Sequence, residues 1–362
     1  MGFSKQNLVS LLKVAVENKA SDVHIRTGER PCFRIFGDLV EIQTKPFDKE
    51  DVSDIAKLIL PTEKLRGQVA SIKEFDGGFA IQNLCRIRFN LYKYDKKIGI
   101  IFRIIKDNIP TFKDLGLPSI LGKIAEQRRG LILVAGPTGS GKSTTLAAMI
   151  NHINESRPCH IVTIEDPIEY LHDQKKARIS QREVGLDTID FPSALRSALR
   201  QDPDVILIGE MRDPETIQIA LKAAETGHTV FSTVHTTNTI ATIGRIISMF
   251  PPEEQKDVRE RLSVNLHACV SQRMLKRTDQ SGVVIAQEIM VTTPGIKEAI
   301  EGDVPLERIR EVIEEGFGPG GNGSQSFDQH VMWLFENGII SKKTALDTVS
   351  SQSDFIQSLT FD

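Results

Sequence analysis

The chain of 362 residues is long enough for two or more domains, and its content of 26% charged and 40% hydrophobic residues is ordinary for a globular protein. The formal net charge of −3 gives no global attraction to nucleic acid, and direct work on nucleic acid is not expected. Four scattered cysteines argue against a zinc ribbon and a disulfide framework, and no apolar run approaches the roughly 18 residues of a membrane span. We therefore expect a cytoplasmic protein whose association with a membrane runs through a partner.

The first hundred residues predict a small α+β domain. Apolar residues recur on one helical face over residues 5–18, and short alternating runs split by Gly turns over residues 21–42 indicate an antiparallel meander. The remaining predicted elements are helices over 48–60 and 62–73 and strands over 85–92 and 99–105. This region contains no recognisable catalytic motif.

Three arginines on those last strands, Arg86, Arg88 and Arg103, stand out among the apolar residues. One interpretation is that they are solvated charges on a strand face. The other is that some of them contact a nucleotide bound by a neighbouring subunit, because a guanidinium can stabilise a transferring phosphoryl group in trans.

Proline and glycine are dense between residues 106 and 118, in Asn108-Ile109-Pro110 and Gly116-Leu117-Pro118. Such a stretch between two patterned regions indicates a linker. The predicted organisation is therefore an amino-terminal domain over 1–107, a linker over 108–118 and a second domain over 119–362.

A phosphate-loop pattern follows the apolar run Leu131–Ala135 and precedes a helical pattern over 142–153. A loop placed between a strand and a helix presents backbone N–H groups at the positive end of the helix dipole. Lys142 can reach the β- and γ-phosphates of ATP, and the Ser143 hydroxyl can bind Mg²⁺. The candidate nucleotide-binding residues are Gly136, Thr138, Gly139, Ser140, Gly141, Lys142, Ser143 and Thr144.

Acidic residues follow the next predicted strand, 160–164. Glu165 stands where the carboxyl end of a parallel strand faces the ligand crevice, and we expect it near Mg²⁺ or the attacking water. Asp166 and Glu169 fit such a role no better than a capping and turn role around Pro167.

Two more predicted strands end in polar residues. Glu210 ends the apolar run from Val205 and could orient or deprotonate a water, whereas Asp204 begins that run and lies at its wrong end. His235 follows the strand over 229–234, and we expect it to sense the γ-phosphate.

The carboxy-terminal part predicts mainly helices. Five apolar residues spaced four apart predict one long helix over 252–276: Val258, Leu262, Leu266, Val270 and Met274. A strand over 283–290 follows, then helices over 295–315, 326–338 and 341–349, with a flexible Gly-rich loop at 318–323.

The ordered set of motifs resembles the secretion ATPases of the type II and type IV pilus systems. After the phosphate loop come Thr163–Tyr170, Ser197–Asp204, Gly209–Asp213, Ala224–His228 and Thr233–Thr237. The resemblance implies an α/β RecA-like P-loop ATPase domain preceded by a small PAS-like α+β domain. It also implies a ring-shaped homohexamer, a catalytic role for Glu210, and peripheral docking on an inner-membrane platform protein at the pilus base.

Within this family the length and the start resemble the retraction type (PilT-like), which lacks the extra amino-terminal domain and tetracysteine motif usual in assembly and secretion ATPases. One stretch departs from that type, because Gly295–Gly302 keeps only the apolar spacing and one basic residue of its retraction motif. With the inserted Gly-rich loop and the tail beyond Lys343, this leaves an accessory, PilU-like ATPase open, with a paralogous motor as a possible partner. An assembly or type II secretion ATPase is the other alternative, whereas a small-molecule kinase is disfavoured because no acceptor-binding lid is apparent.

Overall fold

A computed structural model describes residues 2–35, 38–81, 84–105, 109–279 and 282–359. The chain divides into two compact units, Met1–Asn108 and Ile109–Asp362. Residues 106–108, which include the predicted start of the linker, lie outside the described residues. The two units are described separately.

The amino-terminal unit is a six-stranded antiparallel sheet with three helices. Its sheet order is β3-β2-β1-β6-β5-β4. The strands are β1 (Asp22–Arg26), β2 (Cys32–Ile35), β3 (Asp38–Glu41), β4 (Glu74–Ile81), β5 (Cys85–Tyr94) and β6 (Lys97–Ile105). The helices are α1 (Lys5–Glu17), α2 (Lys49–Ile59) and α3 (Glu63–Gly67). The unit has the predicted α+β composition, and its PAS-like character stays a prediction.

Local sequence explains much of this unit. Ser4 caps α1, and Asp48 and Asp51 form a reciprocal capping box at the start of α2. Buried Phe33, Phe89 and Phe102 form part of a core against which both longer helices pack. The strand β4 is an addition to the predicted elements.

The carboxy-terminal unit is an α/β fold around a seven-stranded sheet, which confirms the predicted α/β class. The sheet order is β13-β12-β7-β11-β10-β8-β9, and all neighbours are parallel except β13, which runs antiparallel to β12. The strands are β7 (Gly130–Ala135), β8 (His160–Glu165), β9 (Arg178–Glu183), β10 (Val205–Ile208), β11 (Thr229–Val234), β12 (Leu266–Lys276) and β13 (Val283–Val291).

Helices cover both faces of this sheet. The parallel strands β7, β10 and β11 are therefore buried along their whole length. The helices are α4 (Ile120–Ala125), α5 (Lys142–Ser156), α6 (Phe191–Ala198), α7 (Pro214–Glu225), α8 (Thr239–Ser248), α9 (Gln255–Asn265), α10 (Pro294–Glu301), α11 (Arg308–Glu315), α12 (Phe327–Glu336), α13 (Lys342–Leu346) and α14 (Gln352–Ser358). None of the helices in the described ranges combines the length and apolar character that a membrane span requires.

The prediction of one long helix over 252–276 is wrong. Helix α9 ends at Asn265, and β12 begins at Leu266 and pairs in parallel with β7. A spacing of four residues satisfies both one helical face and one side of a strand, because four is close to the helical period and is also a multiple of two. The helix predicted over 295–315 is likewise two helices, α10 and α11, separated after Gly302, whose φ is +100°.

Candidate functional site

The loop between β7 and α5 is held in a conformation that glycine permits. Gly141, with φ +86°, is the residue from which α5 begins, and Gly139 has φ +79°. A Cβ on Gly136 would lie 2.4 Å from Ser140 Oγ and 2.7 Å from the carbonyl oxygen of Gln272. The loop therefore packs closely against its own turn and against β12.

This loop borders a cavity of about 440 Å³ at the carboxyl ends of the parallel strands. Such strand ends are where ligands bind in open α/β sheets. The structure brings these predicted residues to the cavity: Thr138, Gly139, Gly141, Lys142, Ser143, Thr144, Glu165, Glu210 and His235. Gly136 and Ser140 are not among the lining residues, and the side chain of Ser140 is buried.

Lys142 is buried beneath the loop. Its Nζ donates hydrogen bonds to the carbonyl oxygens of Gly136 and Pro137, both at 3.0 Å. Burial lowers the pKa of this ammonium, while the charges of Glu169 and Glu210 oppose that shift. A partly desolvated cation in the lining of the cavity can attract a polyphosphate.

Glu165 ends β8 and is half-buried at the edge of the cavity. It accepts hydrogen bonds from Thr163 Oγ1 at 2.6 Å and Gln181 Nε2 at 3.2 Å. Burial raises the pKa of Glu165, and these two donors act against the shift. Because two neutral donors fix this carboxyl group, its position is set without a protein cation.

Glu210 follows β10 and lies beside Arg212 and His235. Its Oε2 lies 2.6 Å from Arg212 Nε and 3.6 Å from His235 Nε2. Burial and the nearby Lys142 lower the pKa of His235, while Glu210 acts in the opposite direction. The neutral imidazole is therefore favoured near pH 7, and it can donate or accept a hydrogen bond beside the Glu210 carboxylate.

The remaining acids near these strands fall into two groups, those that line the cavity and one that lies away from it. Asp166 and Glu169 line the cavity, and the hydroxyl of Tyr170 lies 3.0 Å from that of Thr144 on α5. Asp204 lies at the opposite end of β10 and accepts a hydrogen bond from the backbone N–H of His160 at 2.8 Å. Asp204 is thus separated from the cavity by the length of the strand.

Gln272 is a buried contact of the loop that the sequence analysis missed. Its Nε2 donates to the carbonyl oxygen of Ser140 at 2.7 Å, and its Oε1 accepts from Thr145 Oγ1 at 3.0 Å. The signal in the sequence is weak, because Gln272 stands between the polar residues Ser271 and Arg273 in a stretch whose spacing predicts a helix. Tyr170 and Arg212 lie within the motifs Thr163–Tyr170 and Gly209–Asp213 but are not among the predicted site residues, and nothing local marks Gln181.

The three arginines lie in the amino-terminal unit, on one face of its sheet. Arg88 pairs across strands with Arg103, and Arg86 lies two residues before Arg88 on the same strand face. Arg103 Nε donates to Asp22 Oδ1 at 3.0 Å, although the arginine side chain remains 68% exposed. This ion pair gives Arg103 a role within the unit that is independent of any nucleotide.

The donor set fits a nucleoside polyphosphate with a divalent cation. Among the described residues no group of three or more His, Cys, Asp or Glu side chains is arranged to hold a metal ion. A cation here would therefore take several of its ligands from phosphate oxygens, as Mg²⁺ does with nucleotides. Ser140 Oγ is buried and has no hydrogen-bond partner within the described part of the chain.

A family model described as type II/IV secretion system protein matches residues 104–305, more than half of the chain. Three curated relatives match most of the chain. The type IV pilus retraction ATPase PilT of Pseudomonas aeruginosa is 40% identical over 96% of this chain and 100% of its own length. A twitching motility protein of Neisseria gonorrhoeae is 43% identical over 87% and 83% of the two chains. The type IV pilus ATPase PilU of Pseudomonas aeruginosa is 36% identical over 95% and 89%.

Among solved structures, the pilus retraction motor PilT with bound ADP superposes with a TM-score of 0.87. It is 38% identical, and the match covers 97% of this chain and 99% of the other. Together with the family match, this confirms the predicted RecA-like P-loop fold of the carboxy-terminal unit. It also supports nucleotide binding at the cavity.

Proposed function

The chain belongs to the type II/IV secretion system protein family, and from this premise we propose that it is a motor that hydrolyses ATP to retract type IV pili. The observation that carries the proposal is the convergence of the phosphate loop, Glu165, Glu210 and His235 on one cavity. Relatives that match most of this chain are named for pilus retraction and twitching motility. The substrate is ATP, and the work is mechanical rather than synthetic.

Each side chain has a part in this chemistry. Lys142 neutralises charge on the β- and γ-phosphates, and the loop N–H groups hold the same phosphates. Glu210 orients the attacking water and accepts its proton, because its carboxylate is held but still reaches the cavity. His235, next to Glu210, reports whether a γ-phosphate is present. Glu165, at the end of the neighbouring strand, fixes the water and the cation.

Mg²⁺ is the cation that fits this donor set. Ser143 would hold it through its hydroxyl, with Glu165 nearby, and the ion would neutralise charge on the phosphates. The side chains that surround it then need only to position the water and to exclude bulk solvent.

The working form that we propose is a homohexameric ring. A phosphate loop and one carboxylate supply only part of the charge stabilisation that phosphoryl transfer requires. Arginines of a neighbouring subunit, drawn from Arg86, Arg88 and Arg103, would supply the rest, and a head-to-tail ring gives every site such a neighbour. The ring would work in the cytoplasm, docked on a platform protein of the inner membrane at the pilus base.

An accessory motor is the second candidate function. The relative PilU and the altered stretch at Gly295–Gly302 favour it, because this stretch departs from the retraction motif. Such a subunit would bind ATP and act mainly by assembling with a main motor. ATP turnover by the purified chain separates the two functions, because a main motor hydrolyses ATP without a second motor protein.

Pilus dynamics in cells that lack the gene test the proposed function. We expect surface pili to accumulate and retraction to stop, with extension unaffected. Loss of pili from the surface would instead identify an assembly motor. Normal retraction, abolished only when a second motor gene is also removed, would identify the accessory role.

A further inference from the structure

Gln272 on β12 forms a hydrogen bond to the backbone of the phosphate loop. The residue is fully buried within β12, one position beyond Ser271, which pairs with Ala135 at the end of β7. Its amide touches the loop at one end and α5 at the other, through the carbonyl oxygen of Ser140 and the hydroxyl of Thr145. A single side chain thus spans the loop from its last turn to the first turn of α5.

We propose that Gln272 is a positioning residue that sets the orientation of the peptide units facing the phosphates. A trans peptide unit points its C=O and N–H in opposite directions. Because Gln272 holds the Ser140 carbonyl towards β12, the N–H of Gly141 in the same peptide unit points away from β12. Gly141 borders the cavity, so this N–H is available to a phosphate oxygen.

An amide is suited to this position because it donates and accepts at the same time. Its donor meets a carbonyl oxygen, and its acceptor meets Thr145 Oγ1 and, at 3.4 Å, Nε2 of Gln287. A carboxylate of the same shape would place negative charge against the Ser140 carbonyl oxygen and beside the nucleotide phosphates. A methionine would fill the space and make neither hydrogen bond.

The test compares ADP affinity and ATP turnover in Gln272→Glu and Gln272→Met with Gln325→Met as the matched control. Gln325 is a buried amide that donates to the carbonyl oxygen of Gln287 at 3.0 Å and does not line the cavity. We expect the two Gln272 variants to weaken ADP binding about tenfold or more, with KM for ATP rising more than kcat falls, and Gln325→Met to bind ADP as the wild type does.

This proposal rests on the proposed function, and the outcomes separate the two. Wild-type protein that does not bind ADP would overturn the function itself. Wild-type ADP affinity in folded Gln272→Met or Gln272→Glu would overturn only the positioning role. Equal weakening in Gln325→Met would also overturn it, because the effect would then be general to the buried amides. Gln272→Glu, which conserves shape, keeps the test informative if Gln272→Met does not fold.

A separate feature is an apolar groove on the carboxy-terminal helices, which we call the α12–α14 groove. It has a volume of about 440 Å³, and its apolar side chains are Phe317, Met332, Trp333, Val349 and Phe355. Phe317 and Trp333 are each 46% exposed. Part of it comes from the region of the Gly-rich loop and from the tail beyond Lys343, the segments in which this chain departs from the retraction type.

The charges around the groove have one sign. Asp328, Glu336 and Asp354 line it, and none of its described lining residues is a Lys or Arg. Arg310 approaches Asp328, with Nη2 and Oδ2 3.6 Å apart, whereas Glu336 and Asp354 form no ion pair among the residues that the structure describes. Apolar surface beside two carboxylates that form no such ion pair is complementary to an apolar segment that carries Lys or Arg.

We propose that the α12–α14 groove binds an amphipathic helix of a partner protein that has a basic polar face. Apolar side chains of that helix would enter between Trp333 and Phe355, and its cations would lie against Glu336 and Asp354. Helices recognised in this way supply anchors at i, i+3 and i+4, which suits a groove of this size.

The chain contains one tryptophan, and it lies in this groove, so its fluorescence reports occupancy directly. We would titrate the full chain with a synthetic Leu/Lys helical peptide and with a Leu/Glu peptide of equal length. We expect only the basic peptide to shift tryptophan emission to shorter wavelength, saturably and less strongly at 0.5 M salt, because salt screens surface charges at roughly this concentration. The double variant Glu336→Lys/Asp354→Lys should reverse the preference.

Three outcomes would overturn this second proposal. The first is no emission shift with the basic peptide. The second is equal shifts with both peptides, or no change of preference in the charge-reversed variant, which would indicate unspecific contact. The third is a shift that appears on raising the protein concentration alone, which would assign the groove to a second copy of the chain.

Discussion

At the scale of single residues, the cavity brings a cation and carboxylates from separate strands together. Lys142 stands opposite Glu169 and Glu210, and each of these charges affects the protonation of the ammonium. Glu165 and Glu210 are held in contrasting ways, one by neutral donors and the other by Arg212 and His235. These environments distinguish the roles that similar side chains play.

Lys142→Ala removes the cation from the phosphate site. We expect ATP hydrolysis to fall to background, because neutralisation of the β- and γ-phosphates is lost. The measurement is phosphate release by purified protein, and Lys123→Ala on α4 serves as the control for loss of an unrelated lysine. Turnover comparable with the wild type in Lys142→Ala would refute the assignment of this cavity.

Glu210→Gln keeps the shape of the side chain and removes its basic oxygen. We expect ATP to bind while turnover falls by roughly two orders of magnitude or more, because the water loses its acceptor. Glu165→Gln is the matched comparison and should retain more activity. Normal turnover in Glu210→Gln together with an inactive Glu165→Gln would mean that the two roles are reversed.

At the scale of elements, the turn from β7 to α5 depends on the absence of a side chain at Gly136. Gly136→Ala should lower the free energy of unfolding by about 1–3 kcal/mol, because its Cβ would overlap Ser140 Oγ and the Gln272 carbonyl. Gly185→Ala is the control: its φ is +84°, but no atom lies within 4 Å of an added Cβ. Denaturant titration of both variants would show the difference, and equal losses would argue against close packing at Gly136.

The sequence predicted most of the elements around the phosphate loop and failed at β12. Strands β7, β8, β10 and β11 are apolar runs bounded by turn residues, so local pattern alone located them. Residues such as Leu266 and Val270 fit a helix and a strand equally well, and only the pairing of β12 with β7 decides between them. Gln272 was missed for the same reason, because its position behind the loop is a product of that pairing.

At the scale of the whole molecule, we propose that arginines of the amino-terminal unit act at the nucleotide site of a neighbouring subunit. Arg86, Arg88 and Arg103 share one sheet face, and Arg103 is already engaged by Asp22. Sequence could place these residues on strands. It could not separate an arginine that stabilises the unit from one that serves a neighbour, because both lie on exposed strand faces.

Mixed rings test whether any of these arginines acts in trans. We expect at least one of Arg86→Ala, Arg88→Ala and Arg103→Ala to fold and bind ATP without turnover, a loss of about 10³–10⁵ in rate. Rings that combine such a subunit with Lys142→Ala should regain partial activity, because some interfaces then hold an intact loop and an intact arginine.

The control for the mixing experiment is Asp22→Ala. It breaks the ion pair with Arg103 but leaves the guanidinium in place. If loss of the ion pair alone explains Arg103→Ala, both variants should lose thermal stability and neither should gain from mixing. Co-assembled rings without any restored hydrolysis would leave the arginines as surface charges.

The position of β7 in its sheet also determines how slowly its backbone can exchange hydrogen with solvent. Strand β7 is flanked by β11 on one side and β12 on the other, whereas β9 is a terminal strand of the same sheet. Amide protons of Leu131–Ala135 should therefore exchange with deuterium only when the unit opens as a whole, and those of β9 through smaller local openings. The phosphate loop is thus attached to an internal, slowly exchanging strand, so the loop can respond to nucleotide while its base stays fixed.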